Sequence, residues 1–122
     1  MARNERGTTD VTRRRSKSGP DDRELDRLIE EAIVDAHNEW EQSTGLFTML
    51  GEHLALPFTT RLLGQEVVVE SIDLDELEII ALCRRGRERQ RIRLLDLPLP
   101  TPAPAGAEWI AAYRRWARHN LE

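Results

Sequence analysis

Residues 57–96 read PFTTRLLGQEVVVESIDLDELEIIALCRRGRERQRIRLLD, and their pattern sets the class of fold that the chain can adopt. Short runs rich in Val, Ile and Leu alternate with turn-forming or acidic residues, which is typical of strands joined by tight connections. Leu-Gly, the acidic segment DLDEL and a turn at Gly86 separate the runs. The stretch therefore predicts a small antiparallel, barrel-like sheet. The predicted strands are residues 57–62, 66–72, 78–84 and 90–96.

Helical periodicity precedes this stretch. Asp21 and Glu24 form a capping-box pattern, in which each side chain can accept from an amide at the start of a helix. A second helical stretch covers residues 44–54. The sequence leaves open whether the region is one helix or two, because His37-Asn38 and Gly45 can each mark a break. The first apolar repeat consists of Leu25, Leu28, Ile29, Ala32, Ile33, Ala36 and Trp40.

A third helix is predicted at the other end of the chain, over residues 107–119. Its apolar stripe follows a Pro-rich segment, residues 98–106, that predicts a stiff, extended connector. The expected fold class is α+β, with two N-terminal helices, an SH3-like sheet of about four strands and a C-terminal helix. Residues 21–122 are expected to form a single domain. The stripe consists of Trp109, Ile110, Tyr113 and Trp116.

The first twenty residues differ in composition from the rest. Residues 1–20 hold six Arg and Lys against two Asp and Glu, and Val11 is their one branched apolar residue. Such a composition predicts a disordered basic tail, because it buries too little apolar surface to offset the entropy of ordering. It has no apolar core typical of a secretory signal. With a single cysteine, Cys83, and no apolar run near the ~20 residues of a membrane span, the chain is expected to be cytoplasmic.

The charge is distributed unevenly along the chain. Residues 21–56 carry ten Asp and Glu against two Arg, a net charge of −8. Residues 57–122 carry ten of each sign. The excess negative charge therefore lies in one segment, although the whole chain has a net charge of only −4.

The densest part of that segment is EEAIVDAHNEWEQ, residues 30–42, which holds five carboxylates. On a continuous helix its polar residues form one face opposite the apolar stripe, and like charges at this spacing repel. Solvent and salt, an arginine-rich neighbour or a bound cation can offset that repulsion. Hard oxygen donors without thiolates favour Ca²⁺ or Mg²⁺ over zinc or copper. The face consists of Glu31, Asp35, Asn38 and Gln42, with Glu39 at its border.

Known motifs narrow the chemistry further. An EF-hand loop starting at Asp35 fails, because Trp40 stands where a glycine is required and Leu46 where a bidentate carboxylate is required. The three histidines have no metal-ligand spacing, and no nucleophile elbow, P-loop or dinucleotide fingerprint is present. Cys83 in an aliphatic strand predicts a buried small residue. The chain is therefore not expected to be an enzyme.

A second charged stretch, RRGRERQRIR at residues 84–93, has six arginines and one acid. Alternating arginines project from one face of a strand and can follow a phosphate backbone, so this face is an alternative candidate for binding nucleic acid or an acidic protein. No aromatic residue is interleaved to stack on bases, which makes nucleic acid the weaker partner. The face can also pair with the acidic helix or simply be solvated. The alternating residues are Arg87, Arg89, Arg91 and Arg93.

Several motifs occur together in one order. They are VDAHNEWE, LGEHLALPFTTRLLG, VVVESIDL, the Arg-Gly-Arg hairpin with IRLLDLPLP, and GAEWIAAYRRW. Across about residues 25–119 the chain resembles the cyanobacterial calcium-binding protein (CcbP-like) family. The resemblance implies a small α+β protein without enzymatic activity. It also implies weak Ca²⁺ binding through clustered surface carboxylates, with compaction on binding.

The resemblance also implies the residues of a metal site. Asp96 and Glu108 match further acidic positions with less claim to be ligands. Where the chain departs from the family pattern it lacks some of the usual carboxylates, and fewer carboxylates imply weaker Ca²⁺ binding. The implied ligands are Asp35, Glu39, Glu41 and Glu52, with Glu31 expected to complete or support the site. The departures are His37, Asn38, Trp40 and Gly51.

Overall fold

The computed structural model describes residues 19–121, and its helices and strands follow one another in the predicted order. The predicted α+β class is confirmed. The predicted basic tail lies outside the described residues except for Gly19 and Pro20. The elements are α1 (Asp22–Ile33), α2 (Glu39–His53), β1 (Phe58–Leu62), β2 (Gln65–Asp75), β3 (Glu78–Arg85), β4 (Glu88–Arg93), a short 3₁₀ turn (Leu94–Asp96) and α3 (Ala107–Asn120). None of the helices between residues 19 and 121 is long and apolar enough to cross a membrane.

The N-terminal region forms two helices, and the break falls at His37-Asn38. Asn38 has extended backbone and caps α2, since its side-chain oxygen accepts a hydrogen bond of 2.8 Å from the Glu41 amide. Asn favours such a cap because its short side chain satisfies an amide that has no partner within the helix. Gly45, the other candidate break, lies inside α2.

The helix predicted to run up to Trp40 is therefore shorter than its apolar repeat. α1 ends at Ile33, and Trp40 lies in the first turn of α2 with 56% of its surface exposed. The polar face predicted from Glu31 to Gln42 is accordingly divided between two helices and a junction. Gln42 belongs to the packing instead, because its Oε1 accepts a 2.8 Å hydrogen bond from the Trp116 indole N–H.

Gly45 is needed where α1 and α2 meet. A Cβ built at this position would collide with the backbone carbonyl of Ala32. The two helices therefore approach each other more closely than any side chain at residue 45 would allow, and this contact fixes the junction between them.

The strands form an antiparallel meander in the order β1-β2-β3-β4. β1 and β4 lie at opposite edges, so within residues 19–121 the sheet stays open instead of closing into a barrel. A bulge between Val69 and Ser71 shifts the register of β2 against β3. The last predicted strand, residues 90–96, ends early because Leu94 turns into the core and is fully buried in the 3₁₀ turn.

The core lies between the helices and one face of the sheet. The predicted stripe of α3 is confirmed, since Trp109, Ile110, Tyr113 and Trp116 are all buried. The Tyr113 hydroxyl accepts a 3.0 Å hydrogen bond from the Ile79 amide, which joins α3 to β3 inside the core. At the end of the sheet, the half-buried Arg114 guanidinium donates to the carbonyls of Leu94 and Leu97.

Candidate functional site

The acidic segment surrounds the α1–α2 junction, which we define as residues 34–38. Asp35 lies within the junction and Glu39 is the first residue of α2, and both side chains are exposed. Glu31 is exposed in the last turn of α1. The structure therefore places four of the five proposed metal residues at or next to one surface turn, the fourth being Glu41 in the first turn of α2.

Helix dipoles act in opposite senses on the two sides of the junction. Glu39 and Glu41 occupy the first turn of α2, where the positive end of the helix dipole favours a carboxylate. Glu30 and Glu31 occupy the last turn of α1, which has no basic residue, and there the negative end of the dipole disfavours them. The electrostatic potential at the carboxyl end of α1 is therefore negative, and a bound cation would be stabilised there.

Glu41 has a structural role as well as a charge. Its Oε1 accepts a 2.7 Å hydrogen bond from the His37 amide, while its own amide donates to Asn38. The arrangement resembles a capping box, in which the third residue of a helix reaches back to the chain before it. This role was not predicted: the spacing Asn-x-x-Glu is typical of such a cap, but a continuous helical polar face produces the same spacing.

Glu52 lies away from the junction. It is exposed in the last turn of α2, 13 residues after Glu39, which places the two about 20 Å apart along the helix axis. Nε2 of the His53 ring lies 4.0 Å from the Glu52 carboxylate. The structure therefore does not bring Glu52 to the ion site predicted for Asp35 and Glu39.

No three Asp, Glu, His or Cys side chains converge into a metal-holding group in the part of the chain that the structure describes. His37 is exposed and contributes its backbone amide to the cap. Cys83 is buried as predicted, and burial raises the pKa of its thiol above the ordinary value. The acidic side chains at the junction therefore do not form a closed cage.

A cleft of about 350 Å³ opens at the junction. Two apolar side chains are unusually exposed there, Val34 with 77% and Trp40 with 56% of their surface accessible. The carboxylates of Asp35 and Glu41 line the same cleft. The junction thus combines an indole surface with negative charge.

The arginine-rich stretch lies mainly on β4 and carries less free charge than its sequence indicates. Arg91 lies between two carboxylates of β2, with N–O distances of 3.5 Å to Asp73 and 3.7 Å to Asp75. Arg93 pairs with Glu78 at 3.4 Å and with Asp96 at 3.7 Å. These pairs are half-exposed and contribute little stability, but they neutralise both arginines.

Arg87 was wrongly placed on the strand, because the β3–β4 turn includes it and β4 begins at Glu88. Turn residues do not share the two-residue alternation of a strand, so Arg87 is not fixed on the face of Arg89. Arg84, in the same stretch, donates to the Glu70 carboxylate at 2.6 Å. Most of the arginines in this stretch are therefore paired with carboxylates in or next to the sheet.

The N-terminal half of α1 is neutralised by α3. Arg115 contacts Asp26 with Nε at 2.7 Å from Oδ1, and Asp22 with Nη1 at 3.3 Å. The hydrogen bond from Arg115 lowers the pKa of Asp26 below its ordinary value, against a smaller opposing effect of desolvation. The acidic residues of α1 therefore pair with α3. The structure does not show the alternative interpretation, in which the acidic helix pairs with residues 84–93.

Changing Arg115 to Met is expected to return the pKa of Asp26 towards its ordinary value, because the hydrogen bond that favours the carboxylate is lost. A lowered folded-state pKa contributes stability above the unfolded pKa, and that stability is lost as pH falls through the folded pKa. The variant should therefore lose stability near neutral pH and show a weaker acid dependence. Carbon-13 NMR titration of the carboxyl groups measures the shift.

Glu70 provides the internal control for that titration. The Arg84 hydrogen bond lowers its pKa in the same way, and neither residue contacts Arg115. The Glu70 pKa should therefore stay lowered in the Arg115→Met variant. If the Asp26 pKa does not move, Arg115 is not its partner in solution.

The fold and the junction define a small α+β protein with an exposed acidic turn and oxygen donors of the kind that hard cations prefer. A family model described as calcium binding, that of the CcbP calcium-binding proteins, matches residues 26–117. The match covers about three quarters of the chain, and the chain belongs to this family. The resemblance seen in the sequence is thereby confirmed, with Ca²⁺ as the ligand that the family description names. No curated protein and no solved structure matches the chain significantly.

Proposed function

We propose that this chain binds Ca²⁺ weakly at the α1–α2 junction and serves as a calcium buffer or sensor. Asp35 and Glu39 are the principal ligands, and Glu31 and Glu41 support them by lowering the local potential. One observation carries the proposal: the negative end of α1 and the exposed Asp35 meet at a turn where no Arg or Lys of residues 19–121 pairs with them.

The side chains at the junction are of the type that binds calcium, but they are fewer than its usual number of ligands. Ca²⁺ takes six to eight oxygen ligands, about 2.3–2.6 Å away, in flexible geometry. Asp35 and Glu39 would supply carboxylate oxygens, and carbonyls at the end of α1 have no partner within the helix. Water would complete the shell. With so few protein ligands, affinity in the range of about 10⁻⁴ to 10⁻³ M is expected.

Two of the metal ligands predicted from the sequence, Glu52 and Glu41, are not principal ligands in this proposal. Glu52 is too distant to share the ion and contributes only to the charge of α2. Glu41 can join the shell most readily with its second carboxylate oxygen, because its Oε1 already accepts a hydrogen bond from the His37 amide. Buffer and sensor differ in their response to the ion: a sensor compacts on binding and a buffer does not, so small-angle scattering with and without Ca²⁺ separates them.

Nucleic-acid binding by the arginines stays a prediction that no observation favours.

Changing Asp35 to Asn is expected to weaken Ca²⁺ binding about tenfold, because ligand charge sets much of the affinity. Glu39→Gln should have a similar effect. Titration calorimetry measures the dissociation constant. Thermal melts measure the linked stabilisation, which for a native-state ligand is about 1.4 kcal/mol at ten times Kd.

Glu66→Gln is the matched control, since Glu66 is an exposed carboxylate on β2 in the sheet. It removes the same charge and should leave the Ca²⁺ titration unchanged, and Mg²⁺ should bind more weakly than Ca²⁺ to the unaltered chain. Absence of both heat and a melting shift at millimolar Ca²⁺ would refute calcium binding. Equal losses in all three variants would refute the site.

A further inference from the structure

The junction cleft has the chemistry of a guanidinium site. An exposed indole attracts a cation to its face, more strongly when the cation also approaches a carboxylate. Trp40 supplies the indole, and Asp35 and Glu41 line the same cleft. The dipole of α1 adds negative potential at this end of the helix. The three side chains and the helix end therefore favour one kind of ligand, an arginine.

No cation from the described chain occupies this position. The N-terminal half of α1 is paired, with Asp22 and Asp26 on Arg115 and Glu24 near Arg27. The carboxyl half of α1 differs. In residues 19–121 no Arg or Lys lies at ion-pair distance from the acidic side chains of this half, of the junction or of the first residue of α2. These acidic residues are Glu30, Glu31, Asp35 and Glu39.

We propose that the chain's own basic segment, residues 13–17, docks in this cleft, with an arginine against Trp40. The segment reads RRRSK and carries four positive charges in five residues, opposite a segment of net charge −8. Complementary charge of this kind favours the contact most at low ionic strength.

The lengths of chain agree with this contact. α1 has 12 residues and is about 18 Å long. Arg13 and Arg14 precede Gly19 by six and five residues, which span about 17–22 Å when extended, whereas the four residues from Arg15 span about 13–14 Å. A segment that ran back along α1 would therefore be long enough for Arg13 and Arg14 to approach the carboxyl end of the helix. Gly19, the first described residue, has a φ of +118°, which few L-residues adopt.

Attachment to the same chain favours this occupant over a second molecule. A tethered segment meets its site at an effective concentration in the millimolar range, about what a weak electrostatic contact needs. Where the proposed calcium function holds, the segment also competes with Ca²⁺ for Asp35. The apparent affinity for the ion is then the intrinsic affinity multiplied by the fraction of molecules whose cleft is open.

Trp40 makes the docking measurable. Trp109 and Trp116 are 4% and 3% exposed, so a neutral quencher such as acrylamide reports mainly on Trp40. The full chain in EDTA and low salt is compared with the double variant Arg14→Glu, Arg15→Glu. The double variant is expected to be quenched about twice as strongly, because its cleft is open, and salt near 1 M should remove the difference by screening.

Arg3→Glu combined with Arg6→Glu is the matched control. It makes the same change in charge, but these residues lie 13 or more positions before Gly19. Quenching close to that of the unaltered chain is expected. Equal quenching of the full chain and the Arg14/Arg15 variant at low salt would overturn the docking, and so would an equal effect of the control pair. Protection that is lost on dilution would assign the segment to a second copy and also overturn it.

A Ca²⁺ titration of the same proteins separates this inference from the proposed function. Release of the segment is expected to tighten Ca²⁺ binding about 3- to 10-fold in the Arg14/Arg15 variant. Unchanged affinity in that variant would overturn the competition. If no protein binds Ca²⁺, the calcium function fails, and the quenching in EDTA still decides whether the segment docks.

Discussion

Replacing Gly45 with alanine is expected to destabilise the protein by about 2–3 kcal/mol or to prevent folding, because the new Cβ meets backbone and not a movable side chain. The Ala32 carbonyl lies where that atom must go, so α1 and α2 can accommodate it only by moving apart. Such a movement would loosen the α1–α2 junction. Urea unfolding followed by circular dichroism measures the loss.

Gly51→Ala is the control for that experiment, since it makes the same change in the same helix. Nothing lies within 4 Å of a Cβ at Gly51. Alanine restricts the unfolded chain more than glycine does, so this variant should gain about 0.5–1 kcal/mol. Opposite signs for the two substitutions are therefore expected. A neutral Gly45→Ala would show that the helices do not meet as closely as described.

Changing Tyr113 to Phe is expected to cost about 1–3 kcal/mol, because it leaves a buried amide without its acceptor. The Tyr113 side chain is fully buried and its hydroxyl accepts from the Ile79 amide at 3.0 Å. The substitution keeps the ring and removes only the oxygen, so packing changes little. Loss of this contact weakens the attachment of α3 to β3.

Thr48→Val is the matched control for Tyr113→Phe, because it also removes one hydroxyl group. The Thr48 hydroxyl donates to the Thr44 carbonyl on the exposed side of α2, at 3.0 Å, where water can replace it. A change within about 0.5 kcal/mol is expected there. Chemical denaturation measures both variants, and hydrogen exchange at the Ile79 amide should speed up only in Tyr113→Phe. Equal effects at the two positions would contradict the special role of the buried bond.

Much of the fold follows from local periodicity, and that part was predictable. Alternation in the β-region and the stripe of α3 both arise from which side chains face the core, and burial confirms them. The strand ends were less predictable. Leu94 continues the apolar pattern of β4, yet it belongs to a turn because the Arg114 guanidinium binds its carbonyl from another element.

The candidate site was predictable in composition and less so in geometry. The charge partition located the acidic segment, and the family resemblance indicated calcium. Spacing alone could not show that Asn38 interrupts the helix, because a helix cap and a helical polar face place the same residue types at the same positions. Nor could it show that Arg91 faces Asp73, since that pairing depends on the register of three strands.

The hydrogen bond between Glu41 and the His37 amide makes the start of α2 a natural reporter. The Glu41 Oε1 accepts the amide at an N–O distance of 2.7 Å, and a cation bound to the other lone pair of this oxygen would draw electron density away from the hydrogen bond. Any ligand that recruits this oxygen therefore weakens the hydrogen bond, so that the chemical shift and the solvent-exchange rate of the amide change together. A single resonance in an NMR spectrum thus distinguishes an ion held by Asp35 and Glu39 alone from one that has also engaged Glu41.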